Sequence, residues 1–388
     1  MFLLYFFAIL ILVFLLCFAF IKIKFRFWSI QPVFHFYNLL YWMFPPGIIN
    51  HGIPEINRYT NLKDIPFINY DDLSKHDKSQ FIKFIQEHYL NTTDVKYDAT
   101  PNSIIPYFDN TKNSFFSMYY IKEHGMDPAN GVTTSNKLAA VMTSRLLNVS
   151  IHGNDFPTHY VDYLCVHKDH RSKGIAQQII QTHEYNQRVH TEVVTSLFKR
   201  EGNLNAMVPI VVFRTYGFNI EYWHNKVDLH PQLNLITINK NNIGLLTNFI
   251  KSHKTMFKFH VCPAINILID LIASKNIMIY ALLQDSNVIA LYFLRDSSTY
   301  YNQRKAVECF ASINNCLSTQ VFVYGFSKIL KLLQSKFSYL LIENISHNYK
   351  IIENIIEKHT PCFVSPTAYY FYNFAMRPIR EQDSLIIC

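Results

Sequence analysis

The sequence predicts a mixed α/β chain built as two related halves behind a single apolar helix. Three observations predict it. No charged residue occurs before Lys22, although the chain is ordinary in charge elsewhere. An extended segment with a polar break leads into a helical pattern twice, at PFINYDDLSKHDKSQFIKFIQEHYL (66–90) and at LNLITINKNNIGLLTNFIKSHK (233–254). Each passage is followed by an apolar pair of arms around Ser-Asn, TTSNKLAAVMTS (133–144) and LQDSNVIALYFL (283–294), which reads as a hairpin. With 388 residues, 49% of them hydrophobic and 15% aromatic, the chain can bury large cores and is not a disordered segment.

The N-terminus, MFLLYFFAILILVFLLCFAFIKIKFRF, offers roughly 21 apolar residues, a helix of about 31 Å and enough to cross a bilayer. A cleaved signal peptide is the competing reading. It lacks support here, because the basic leader is missing, the apolar stretch is too long and no small-x-small site follows. Lys22, Lys24 and Arg26 lie on the C-terminal side, so the charge bias places the rest of the chain in the cytoplasm. The sequons at Asn91, Asn148 and Asn344 are then out of reach of glycosylation. Seven cysteines, an odd number without a CxxC, argue against a disulfide framework and a zinc site. The net charge of +8 is scattered, with no Arg/Lys stripe of the kind nucleic acid needs; an anionic membrane or cofactor explains it more simply.

Between the two similar passages, the His-Pro of HNKVDLHPQL marks a seam at 225–232. The chain thus divides into a transmembrane segment at 1–22 and halves at 23–228 and 229–388.

The chemistry concentrates at LCVHKDHRSKGIA (164–176). VDYLCV reads as a buried strand and IAQQIIQTHEYNQ as a helix, so HKDHRSKG is the loop between them. A helix start leaves backbone N–H groups without partners and favours an anion, and Gly174 lets a phosphate approach the backbone. Lys168, Arg171 and Lys173 add charge. The spacing is neither GxxxxGK nor GxGxxG, which removes support from nucleoside-triphosphate and dinucleotide readings.

Arg171-x-x-Gly174-x-Ala176 after a buried strand resembles the acyl-CoA pyrophosphate loop of the GNAT acyltransferases. The longer stretch LCVHKDHRSKGIA resembles the central motif of the N-myristoyltransferase family, itself a tandem GNAT duplication. FWSIQPV (27–33), HGIPE (51–55), YDATP (97–101) and AYYFYNF (368–374) resemble further elements of that family, in the right order, and the likeness covers residues 25–388. It implies two GNAT-like halves sharing a saddle-shaped mixed sheet, the first binding acyl-CoA and the second the peptide. It also implies a monomer that moves a myristoyl group from myristoyl-CoA, a substrate rather than a resident cofactor, to the N-terminal glycine of a protein without a metal. By the same likeness, the backbone of Tyr163 and Leu164 holds the thioester oxygen. Arg26, Phe27, Trp28, Tyr163, Leu164, Cys165, Val166, Ser172, Lys173, Gly174, Ile175 and Ala176 line the donor, and the terminal carboxylate of Cys388 is the base.

Such a reaction makes chemical sense, because a thioester attacked by an amine generates an oxyanion that needs donors and an ammonium that must lose a proton. Bland readings apply elsewhere: Cys165 as core packing rather than nucleophile, His167 and His170 as loop residues without metal spacing, and Cys388 outside any Cys-a-a-X box. The acceptor side departs from the family. Phe198-Lys199-Arg200-Glu201-Gly202 replaces a Tyr-Thr-Ala-Gly turn, LNTTD leaves Asp94 alone where relatives carry an acidic loop, and Val364-Ser365 replaces Asp-Gly. The Arg-Tyr-Trp-His element aligns with Arg214-Thr215-Tyr216-Gly217 or with Glu221-Tyr222-Trp223-His224. Transfer to another amine, or binding of acyl-CoA or a lipopeptide without catalysis, therefore stays open.

Overall fold

The computed structural model describes residues 2–127, 131–202, 206–221, 223 and 229–388. Helix α1 (Phe2–Lys24) is apolar all round with no buried residue, and by length and composition it is long and apolar enough to cross a membrane. It leads through a single 3₁₀ turn at Trp28–Ile30 into the short α2 (Leu39–Met43) and β1 (Gly47–Ile48). Then follow β2 (Phe67–Asn69), α3 (Lys75–His88), β3 (Val95–Tyr97), α4 (Pro101–Ile104), β4 (Phe115–Asp127) and β5 (Gly131–Ile151). The Ser74 hydroxyl starts α3 by accepting the Asp77 N–H at 3.1 Å, which leaves Phe81, Phe84 and Ile85 to face the core.

Next come β6 (Asn154–Val166), α5 (Ile175–His190), β7 (Ser196–Glu201) and β8 (Val211–Asn219). The later part holds β9 (Leu233–Thr237), α6 (Ile243–His253), β10 (Phe259–Cys262), α7 (Ile265–Ala273), β11 (Ile277–Gln284), β12 (Asn287–Tyr301) and β13 (Arg304–Asn314). It ends with α8 (Thr319–Leu333), β14 (Tyr339–Glu343), α9 (Asn348–Ile356), β15 (Phe363–Tyr372), β16 (Phe374–Ala375) and β17 (Ser384–Ile386).

Among the described residues, fifteen strands form one mixed sheet, with the order β17-β10-β5-β6-β7-β15-β8-β14-β13-β12-β11-β9 along its main path. Two parallel strand-helix-strand crossovers recur in it: β6-α5-β7, with His159 opposite Ser196, and β13-α8-β14, with Ala306 opposite Tyr339. Between them β15 lies antiparallel to both β7 and β8, and β8 pairs with β14, so strands from both ends of the chain fill the centre. The strand-helix readings at 66–90 and 233–254 match β2/α3 and β9/α6. Residues 225–228 of the expected seam lie outside the described residues.

One hairpin expectation fails. No turn occurs at Ser135-Asn136, because β5 runs through it with Asn136 opposite Lys122, and the pairing continues to Gly131 opposite Asp127. Without glycine, Ser-Asn does not by itself demand the positive φ of a two-residue turn. In the second hairpin the loop residues are Asp285 (φ 48°) and Ser286 (φ 68°), both left-handed, while Asn287 already pairs with Gln284.

The last strand is fixed by alternation. Leu385 and Ile387 pack with Phe310 and Leu268, whereas Ile386 and Cys388 pack with Tyr160 and Tyr369. On the opposite side of the second half, Gly325 of α8 sits over Tyr292, whose hydroxyl donates to the Phe322 carbonyl at 2.6 Å. A Cβ at Gly325 would meet that oxygen at 2.5 Å, so Gly325→Ala is expected to cost about 1–3 kcal/mol in denaturant unfolding.

His159 is fully buried with neither ring nitrogen hydrogen-bonded, and burial pushes its imidazole down to about 3. The unfolded ring takes a proton near 6.5, so this contribution to stability is complete above that pH and is lost as the pH falls toward 3. Between pH 7 and 5 the loss is about 2 kcal/mol for this one residue. Urea unfolding of His159→Leu at the two pH values should show a smaller drop than the native chain by that amount.

Candidate functional site

A cavity of about 790 Å³ opens where β6 and β7 part. Among the described residues β7 pairs with β6 only over His159–Val161, so the outer edge of β6 beyond Val161 has no strand beside it. Its inner edge bulges: Val161 opposes Ser144 and Leu164 opposes Met142, leaving Asp162 and Tyr163 against Thr143 alone. The Tyr163 N–H is turned inward, donating to the Thr143 hydroxyl at 3.2 Å. The His167 N–H also points inward, to the Ala139 carbonyl at 2.8 Å. Strand alternation then directs the N–H groups of Leu164 and Val166 outward, into the opening. Of the two donors expected from sequence, the Leu164 N–H faces the opening and the Tyr163 N–H is hydrogen-bonded to Thr143.

Cys165 faces the other way, into the core of Phe81, Phe116 and Val141, where burial pushes its thiol up to about 12. That environment suits packing and not a nucleophile. After Val166 the chain makes a 3₁₀ turn at Lys168–His170, and Ser172 (φ 63°) and Gly174 (φ 80°) both take left-handed conformations before α5 begins. Left-handed residues directly before an orphaned first helical turn turn successive N–H groups to one side, an anion-binding geometry. Lys168, Ser172 and Lys173 are exposed around it. Arg171 is a brace as well as a charge: its Nε donates to the Val166 carbonyl at 3.2 Å and its Nη2 to the His88 carbonyl at 2.8 Å.

Phe27, Trp28, Tyr163, Leu164, Ala176 and Cys388 line the same cavity, although they come from four separate stretches of the chain. Trp28 stacks on Phe198 of β7 at 6.4 Å, and Phe27 packs edge-on to Tyr59 at 5.1 Å. Val166, Gly174 and Ile175 shape the loop and helix start from behind, while Arg26, Ser172 and Lys173 stand at the surface outside the cavity lining.

The far wall is a buried ion network that sequence reading missed. Arg295 Nε meets Glu308 Oε2 at 2.7 Å, Glu308 Oε1 lies 3.4 Å from Lys199 Nζ, and Lys199 also pairs with Glu343. A main-chain carboxylate oxygen of Cys388 accepts from Arg295 Nη1 at 3.0 Å. Nearby, Arg145 Nε donates to both oxygens of Asp162, at 3.1 and 3.0 Å. Burial works against Glu308, but Arg295 and Lys199 hold it well below the carboxylate range. Burial dominates at Glu343 and raises it to about 8. Burial and then the Cys388 charge raise the Tyr160 phenol well above its ordinary value. The signal in the sequence was a charge at or inside the end of each apolar run: Arg295 in ALYFLR, Glu308 in AVECFAS and Glu343 in YLLIEN.

On the remaining wall, Thr215 and Ser365 line the cavity, as do Lys199, Arg200 and Glu201. Trp223 instead lies in the core of the second half, stacked on His359 at 4.0 Å, and Tyr222 and His224 lie outside the described residues. Asp94 is exposed and is not among the lining residues.

Residues 54–209 match the family model described as Myristoyl-CoA:protein N-myristoyltransferase, N-terminal domain. Comparison with curated protein sequences gives no match. Among solved structures, a Saccharomyces cerevisiae N-myristoyltransferase with bound myristoyl-CoA superposes with a TM-score of 0.68 at 13% identity, covering 92% of this chain and 94% of that one. Two further structures of the yeast enzyme, one with bound myristoyl-CoA and one with myristoyl-CoA and inhibitors, give TM-scores of 0.70 at 13% identity. They cover 92% of this chain and 89% and 91% of theirs. The two-lobed α/β architecture with its large mixed sheet is therefore the fold of these enzymes.

Proposed function

We propose that this chain is a glycylpeptide N-tetradecanoyltransferase, moving a myristoyl group from myristoyl-CoA to the N-terminal glycine amine of a protein. The observation that carries this reading is one cavity that joins the unladdered Leu164 N–H to the buried terminal residue Cys388, with a phosphate-type loop at its rim. In the reaction the donor pyrophosphate lies against the N–H groups of residues 172–176, with Lys173 beside it. The thioester carbonyl accepts from the Leu164 N–H as its oxygen gains charge. The glycine nitrogen forms the new C–N bond, the C–S bond breaks, CoA leaves as a thiolate and the ammonium proton passes to the Cys388 carboxylate. An α-carboxylate is ordinarily a weak base, with a pKa of about 3.5, but an α-amine of about 8 is already partly neutral, so the assistance needed is small. Arg295 holds the carboxylate in place.

Helix α1 fits the same reading as a bilayer anchor. Its 23 residues extend roughly 34 Å, and Lys22 and Lys24 at its end support a cytoplasmic side for the catalytic part by the positive-inside bias. Resistance of the full chain to carbonate extraction from membranes is the check.

The test of function is release of CoA thiol by the full chain given myristoyl-CoA and a glycine-starting octapeptide; release must cease when the peptide amine is acetylated. The altered segment Phe198–Glu201 on the cavity wall favours a second reading, in which another amine is the acceptor. Acylation of a lysine in the acetylated peptide would support it. For the donor loop, Lys173→Ala is expected to raise KM for acyl-CoA about tenfold with kcat little changed, the loss of one charge-assisted phosphate contact.

A further inference from the structure

Beside α1 the chain exposes an apolar shoulder. Phe36, Leu39, Leu40, Met43 and Phe44 are between 49% and 74% exposed, and Trp42 joins them at 37%. They are held rigidly. Trp42 Nε1 donates to the Phe36 carbonyl at 3.0 Å, the Trp42 ring packs on buried Phe34 at 5.0 Å, and Arg377 Nη2 grips the Met43 carbonyl at 2.6 Å. A turn this well tied does not gain by showing aromatic and aliphatic side chains to water, and so many together mark a contact surface.

The occupant follows from the neighbouring helix. Tyr37 packs edge-on against Phe18 of α1 at 5.3 Å, and Phe18 and Ile21 are partly covered, whereas residues 2–17 are all exposed. Phe18 lies four residues before Lys22, about 6 Å along the axis, and Lys22 Nζ reaches back over its ring at 5.1 Å. That is the depth at which apolar faces of interfacial helices rest, about 5–10 Å into the headgroup and acyl boundary, with tryptophan and tyrosine favoured there.

We propose that residues 36–44 insert into the interface of the same bilayer that α1 spans, forming a second membrane contact that fixes the orientation of the catalytic part. The inference rests on reading α1 as a span. Its consequence is positional: residues 25–35 join the two contacts, so Phe27 and Trp28, which line the cavity, are held at the lipid surface where long-chain acyl-CoA and acylated products partition.

The experiment uses the full chain in phosphatidylcholine/phosphatidylserine vesicles, with lipids brominated near the headgroup as quenchers of tryptophan. The native chain is compared with Trp42→Phe, a change at a partly exposed site. The quenchable share of emission in the native chain should exceed that of Trp42→Phe, in which Trp28 alone is left beside the lipid. Equal quenching in the two would overturn the proposal. A Leu10→Trp variant, read with lipids brominated deep in the acyl chain, reports on the span separately. Deep quenching of residue 10 with equal shallow quenching of native and Trp42→Phe chains would sink the shoulder and spare the anchor. No quenching at residue 10 would remove the span and the shoulder with it.

Discussion

A chain extended by one alanine beyond Cys388 is expected to lose at least 100-fold in kcat while its affinity for acyl-CoA changes less than twofold. The magnitude follows from the share that a positioned acid or base contributes, roughly 10² to 10⁴. The position is tightly set. The Ile387 N–H donates to the Val261 carbonyl at 2.8 Å, Leu385 and Ile387 are anchored in one core and Ile386 in another, and Arg295 holds the Cys388 oxygen. An added residue turns the carboxylate into a neutral amide and carries the charge about 3.5 Å onward. The donor loop lies on β6 and α5 and does not depend on that charge, so binding survives. Stopped-flow acyl-CoA binding set beside steady-state turnover separates the two effects.

Glu308→Ala should be the most damaging single substitution in the network, costing about 3–5 kcal/mol of stability, because it leaves Arg295 and Lys199 buried without their shared carboxylate. It should also lower turnover of the surviving folded fraction, since Arg295 loses the partner that aims it at Cys388. Glu343→Gln should behave differently. Burial favours the protonated form of Glu343, and glutamine is the neutral isostere of that form, so the cost at pH 7 should stay below about 1 kcal/mol. The sign of its pH dependence is set by the raised value. The folded chain keeps this proton up to about 8 while the unfolded chain releases it near 4.5, so its contribution is full below 4.5 and is lost as the pH rises to about 8. Glu343→Gln cannot titrate and should flatten the decline of unfolding free energy across that window.

What the sequence shows clearly is what local spacing encodes. The apolar N-terminus, the strand-loop-helix around Gly174 and the strand-helix passages each lie within about 25 consecutive residues, and their periodicity or turn chemistry is visible without the fold. The Ser-Asn turn failed because two polar residues fit a ladder as well as a turn when neither is glycine. Arg295, Glu308, Glu343 and Lys199 escaped detection for another reason. They come from β12, β13, β14 and β7, and meet only because β15 and β8 interleave the two ends of the chain. A lone charge in an apolar strand signals a buried partner but does not name it. The same holds for the donor geometry: sequence singled out Tyr163 and Leu164 together, and only the bulge opposite Thr143 separates the committed N–H from the outward one.

Transfer to an N-terminal glycine is tested by giving the full chain myristoyl-CoA with an equimolar pool of octapeptides beginning with glycine, alanine or N-acetylglycine, each with one internal lysine, and locating the acyl group by fragmentation mass spectrometry. The proposed reaction predicts acylation of the glycine α-amine alone. Equal modification of alanine-starting peptides, or acylation of the lysine in the acetylated peptide, would contradict it.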